Sequence, residues 1–252
     1  MKTTPESVIH TEGLTKRFGA FTAVDHIDLT VNTGEIFGFL GANGAGKTTA
    51  MRMLTGLLKP TEGSAQVNGF DVYRQPENIK QTIGYMSQRF SLYEDLTLKE
   101  NIRFFGGIYG LTVEQIEERG NALIERLHLQ SVQDKLLAEL PLGWKQKIAF
   151  SVATIHQPKM VFLDEPTGGV DPITRRQFWE LIYEASHQGI TILVTTHYMD
   201  EAEYCDRISI MVAGKIAGIG APSELKAQFS AETMDDVFVK VARGDSSQTL
   251  SA

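Results

Sequence analysis

Gly41-Ala42-Asn43-Gly44-Ala45-Gly46-Lys47-Thr48-Thr49 satisfies the pattern G-x-x-x-x-G-K-[ST] of a phosphate-binding loop, the Walker A motif. The oxygens of a triphosphate need many donors at short range. Glycines let the backbone fold tightly and turn its N–H groups inward. The helix expected to begin after Gly46 adds the positive end of its dipole. Lys47 can then reach the outer phosphates, and the Thr48 hydroxyl can ligate Mg²⁺. The surroundings agree. Residues 35–40 read as a buried strand, and residues 50–58 read as a helix that stops before Pro60. A glycine-rich turn that binds nothing has no need of a strand before it and a Lys-Thr pair and helix after it.

The chain has 252 residues, enough for one large α/β domain or a core with a subdomain. Its 42% hydrophobic content supports a substantial core. The net charge of −7 argues against a sequence-independent nucleic-acid binder, which displays basic faces. Cys205 is the only cysteine, so neither an intrachain disulfide nor a thiol cluster for a metal can form. The six histidines lack zinc-site spacing. No apolar run approaches the roughly eighteen residues that a membrane helix needs. Residues 1–7 lack the apolar core of a signal peptide. Work at a membrane would therefore require another chain as holder.

Along the chain, residues 8–31 alternate turns with short β-like runs, and residues 63–72 form another β segment turning at Asn68-Gly69. Residues 82–86 are a short strand. From 97 to about 156 the pattern is helical, clearest over 113–129, where Ile116, Leu123, Ile124 and Leu127 recur at three- and four-residue steps. Residues 160–163 form a continuous apolar run typical of a buried parallel strand. Asp171-Pro172 opens a helix and Gly189 closes it. Residues 190–196 form the next strand, and 208–219 fold as a hairpin about Ala213-Gly214. Residues 243–252 read as a polar, mobile tail. The expectation is a single α/β domain over 1–252, with a P-loop NTPase core, a helical subdomain inserted at 91–156 and an antiparallel β subdomain.

A phosphate loop alone does not name a reaction. Asp164 and Glu165 follow the apolar strand directly, at the end where open α/β sheets place ligands. Asp164 is placed to hold Mg²⁺, the Walker B role, and Glu165 to polarise the attacking water. His197 ends the 190–196 strand and can hydrogen-bond the γ-phosphate or the water. Gln88, after another short strand, can contact Mg²⁺ or water. Phe18 can stack on adenine, with Phe21 as its rival.

In order and spacing, Phe18, the loop 41–49, Gln88, Asp164-Glu165-Pro166-Thr167, Gly168-Gly169-Val170-Asp171 and His197 resemble the nucleotide-binding subunits of ABC transporters. The match runs from about residue 8 to 220. It looks most like bacterial exporters of the drug-efflux type, an impression carried by residues 37–41 and 85–93. The resemblance implies an ATPase using ATP and Mg²⁺ on the cytoplasmic side of the membrane. It implies two such subunits head to tail beneath membrane permease domains. Each ATP is then sandwiched between one phosphate loop and the other subunit's signature segment, usually LSGGQ. Asp171 would be the aspartate of the D-loop.

One departure stands out. The signature segment reads Leu140-Pro141-Leu142-Gly143-Trp144, with proline for serine, leucine for the first glycine and tryptophan for glutamine. Proline has no hydroxyl to donate to a phosphate. Gly143 remains, and a helix N-terminus there can still face the phosphate. The sequence leaves a homodimer and a pairing with a sister ATP-binding domain both open. It leaves two rival readings as well: a non-transport ATPase of the same family, and a subunit that closes a dimer but hydrolyses poorly.

Overall fold

The computed structural model describes residues 7–88 and 92–243. Strands β1 (Ser7–Phe18), β2 (Phe21–Asn32), β4 (Glu62–Val67) and β5 (Phe70–Asp71) form an antiparallel sheet of order β2-β1-β4-β5. Strands β3 (Ile36–Leu40), β6 (Ile83–Met86), β7 (Met160–Asp164), β8 (Thr191–Thr196), β9 (Arg207–Val212) and β10 (Lys215–Gly220) form a second sheet of order β10-β9-β3-β8-β7-β6. All its neighbouring pairs are parallel except the β9–β10 hairpin.

The central strands β3, β7 and β8 of the second sheet are buried on both faces, which explains their continuous apolar runs. Successive side chains point to opposite faces. Ile36 and Leu40, Val161 and Leu163, and Ile192 and Val194 therefore join one core cluster, shared with the helices. Phe37 and Phe39, Met160 and Phe162, and Leu193 join the other, with the antiparallel sheet and α1 (Lys47–Leu54). Truncating the fully buried Phe162 to alanine would cost about 3–5 kcal/mol.

The helical insert comprises α3 (Leu98–Ile108), α4 (Val113–Arg126) and α5 (Leu142–Ala153). Thr97 with Glu100 and Thr112 with Gln115 form capping boxes that start α3 and α4. Helix α2 (Pro76–Thr82) precedes β6, and α6 (Pro172–His187) joins β7 to β8. Helices α7 (Pro222–Gln228) and α8 (Met234–Arg243) close the described chain.

Several expectations need correction. The runs over residues 8–31 are two strands of 12 residues each, turning at Gly19-Ala20. Register shifts in the β1–β2 pairing interrupt the apolar alternation and made the strands look short. Helix α1 ends at Leu54, not at residue 58. Gly56 takes a left-handed φ of 71°, and the N–H groups of Leu57 and Leu58 fold back to Arg52 O. Residues 222–228 and 234–243 are helical, so Arg243 ends α8 and does not begin a tail. The remainder of that tail, 244–252, lies outside the described residues, as do residues 89–91 of the 85–93 segment. Among the described residues, no helix is long and apolar enough to cross a membrane.

Candidate nucleotide-binding site

β3 delivers the chain into the loop 41–46, and α1 begins at Lys47. Gly46 sits at φ 110°, and a Cβ there would collide with Ala23 O and with the Met211 side chain. Only glycine allows the loop to pass this close to β2 and β9. Ala42, Asn43, Gly44 and Thr48 face solvent, and Thr49 is half-buried.

The Lys47 side chain is only 4% exposed. Its ammonium donates to Gly41 O at 2.7 Å and Ala42 O at 3.2 Å, and lies 3.7 Å from Glu165 Oε1. Burial pushes its pKa below the ordinary lysine value, against the opposing pull of Glu165 and Asp164. Asp164, at the end of β7, is buried. Its Oδ1 accepts from Thr195 Oγ1 at 2.6 Å and Thr48 Oγ1 at 3.3 Å. Burial raises its pKa, partly offset by these two hydroxyls.

Glu165 is the hub of the site. Its Oε2 accepts from Gln88 Nε2 at 3.1 Å and stands 3.1 Å from His197 Nδ1. Its N–H donates to Thr195 O and Thr195 Oγ1, at 3.1 and 3.0 Å. The structure thus gathers Lys47, Thr48, Gln88, Asp164, Glu165 and His197 from four separate places in the sequence. Gln88 joins through Glu165. Thr195 was missed, because a threonine inside a β-rich apolar run looks like ordinary strand composition.

The other expected residues lie around this cluster. Phe18 and Phe21 face each other at the tip of the β1–β2 hairpin, 51% and 64% exposed. Both rings are open to a stacking partner, and Lys16 Nζ lies 5.2 Å from the Phe18 ring centre. Pro141 occupies the N-cap position of α5, where its carbonyl receives the N–H groups of Trp144 and Lys145. Leu140 is buried, while Leu142 and Trp144 are exposed. Leu142 lines a cleft of about 270 Å³ with Gln88, Gln146, Glu165 and Gly168, so the N-terminus of α5 borders the turn that carries Glu165. A Cβ on Gly143 would strike the Thr174 side chain, which makes this glycine the contact point between α5 and α6. Asp171 caps α6, accepting from Ile173 N, Thr174 N and Thr174 Oγ1. The Thr174 hydroxyl is the first cause of its lowered pKa.

The donor set suits a magnesium nucleotide. Thr48 and Asp164 offer oxygen only, the preference of Mg²⁺, and a buried ammonium lies beside them. Among the described residues no group of three or more His, Cys, Asp or Glu forms a protein-only metal cage.

The profile of the family described as ABC transporter matches residues 24–168. The chain is 47% identical over 241 residues to the probable multidrug ABC transporter ATP-binding protein YbhF of Escherichia coli, covering 94% of this chain and 42% of YbhF. It therefore spans less than half of that relative's length. It is 37% identical over 235 residues to the daunorubicin/doxorubicin resistance ATP-binding protein DrrA of Streptomyces peucetius, covering 93% of this chain and 71% of DrrA. A solved ATP-binding subunit of an ABC transporter superposes with a TM-score of 0.84 at 28% identity, over 93% of this chain and 99% of the other. An ATP-binding cassette in its ADP conformation superposes at 0.79 and 26% identity, over 92% and 98%.

Proposed function

The chain belongs to the ABC transporter family of ATP-binding domains, and from that premise we propose that it is the ATP-hydrolysing motor of a bacterial exporter. The observation that carries this reading is the convergence of Lys47, Gln88 and His197 on Glu165, one residue from the Thr48–Asp164 pair.

In this reading the phosphate-loop amides and Lys47 hold the β- and γ-phosphates and offset charge as the γ-phosphoryl group transfers. Thr48 and Asp164, with Gln88, would hold Mg²⁺, which would neutralise phosphate charge there. Glu165 orients the attacking water, and His197 fixes Glu165 from the other side and reaches toward the γ-phosphate. Phe18 stacks on adenine. Residues 140–144 face the phosphates bound by a second ATP-binding domain, either another copy or a sister, with Asp171 beside that interface. ATP would close the pair and hydrolysis would release it.

The reading places the chain at the cytoplasmic face of the membrane, held there by permease subunits. The names of YbhF and DrrA support drug-type export, and the acidic net charge favours protein partners over nucleic acid. Glu165→Gln tests the assignment. ATP should still bind and hydrolysis should fall, whereas wild-type turnover in this variant would remove Glu165 from its role.

A further inference from the structure

Glu201 is a buried charged group for which the motifs provide no task. It lies in a short 3-10 helix, Met199–Tyr204, just beyond β8, and is 0% exposed. A carboxylate at this depth must be hydrogen-bonded or neutralised. Thr167 Oγ1 donates to Glu201 Oε1 at 2.6 Å, and Thr196 Oγ1 donates to Oε2 at 2.6 Å. Both lengths are those of charge-assisted bonds from hydroxyl to carboxylate. Arg175 of α6 supplies the counter-charge, its Nε 3.6 Å from Oε1. The Arg175 guanidinium also lies 4.2 Å from the Tyr198 ring centre, which keeps it in place.

The two threonines have meaningful positions. Thr167 follows Glu165 by two residues, and Thr196 immediately precedes His197. Glu165 sits at φ 49°, a left-handed conformation that residues with a Cβ avoid. Such a residue persists only where its surroundings over-determine it. On its upstream side the Glu165 N–H is fixed by Thr195. On its downstream side the anchor is Thr167, and that anchor ends on Glu201.

We propose that Glu201 is a positioning residue: its single buried carboxylate ties the turn that carries Glu165 to the strand end that carries His197, so that the two side chains are set as one unit. The role in turnover rests on the ATPase reading above. Glu201 acts through Thr167 and Thr196. Glutamine cannot replace it, because an amide has one acceptor oxygen and cannot receive both hydroxyls in the same geometry.

The test compares Glu201→Gln, Thr167→Val and Thr196→Val in the full chain. Thr167→Val removes one arm and leaves the carboxylate in place, so the test survives if Glu201→Gln fails to fold; Thr196→Val removes the other arm together with the acceptor of the Tyr198 N–H, so Thr167→Val is the decisive variant. Thermal midpoint, kcat and KM for ATP are measured, together with the ¹⁵N–¹H resonances of the His197 ring without nucleotide. The expected result is a kcat lowered about tenfold or more with KM within about twofold, since the phosphate loop is untouched. The His197 Nδ1 resonance should move in every variant that folds. Wild type and Glu165→Gln run alongside. A wild type without turnover defeats the ATPase reading, and the His197 resonances then judge the tie between the two elements. Folded variants with a lower thermal midpoint but wild-type kcat, or with unmoved His197 resonances, would overturn the proposal.

Discussion

Glu165 Oε2 and His197 Nδ1 stand 3.1 Å apart, although one residue follows β7 and the other follows β8. The two strands are parallel neighbours in register, with Asp164 opposite Thr195. Their ends therefore deliver a carboxylate and an imidazole to the same edge of the sheet, beside Lys47. This pairing shapes the outcomes expected of substitution.

Lys47→Ala removes the one cation held inside the phosphate loop. Hydrolysis should fall by about 10²–10³, the scale for losing one preorganised electrostatic donor. Mg-ATP binding should weaken as well. Steady-state turnover and nucleotide titration check both, and unchanged turnover would refute the site.

Glu165→Gln keeps shape and polarity but removes the base. Hydrolysis should drop about 10²–10⁴-fold while ATP still binds. With ATP and Mg²⁺ the variant should elute as a dimer in size-exclusion chromatography, provided that two copies of this chain pair.

Pro141→Ser with Leu142→Gly restores the serine and glycine common in the family's signature. In a homodimer the restored hydroxyl should raise turnover roughly tenfold or more, from a hydrogen bond to a charged group worth about 1.5–3 kcal/mol. The wild-type chain alone should therefore be slow. A fast wild-type homodimer that gains nothing from the double change would show that the hydroxyl is dispensable here.

Phe104 and Ile108 are exposed on one face of α3, and Phe104 packs edge-on against Tyr93 and Phe105. Phe104→Ser with Ile108→Ser should release the chain from membranes that contain its permease while leaving its thermal midpoint near wild type. Co-sedimentation with such membranes checks this, and full retention by the folded variant would place the docking surface elsewhere.

His156 stacks on Tyr109 with ring centres 3.7 Å apart, and its Nε2 lies 3.2 Å from Ile83 O. Burial pushes its pKa down to about 4 from 6.5. Below pH 6.5 the unfolded chain takes up the proton first, so stability falls as pH drops from 6.5 toward 4. His156→Gln should flatten that part of the pH–stability curve by about 2 kcal/mol, read from urea melts across the range. An identical slope in the variant would show that other groups set it.

Local features follow from what neighbouring residues decide among themselves. The loop 41–46 and the start of α1 at Lys47 were legible, as were the Asp171 cap and the Asn68-Gly69 turn. Each depends on bonds and dihedrals within a few residues, so residue type and spacing suffice. The order of Gln88, Asp164, Glu165 and His197 pointed to one site for the same reason: each sits where a strand runs out. How these residues meet depends instead on which elements become neighbours in space. Thr195 shares Asp164 because β8 lies beside β7 in one particular register. Glu201 reaches Thr167 and Thr196 because the 3-10 helix folds under both turns, and Gly143 is required because α5 crosses α6 at Thr174. No periodicity records such contacts, since they depend on which elements become neighbours across long stretches of chain, and that is settled by burying both faces of the sheet at once.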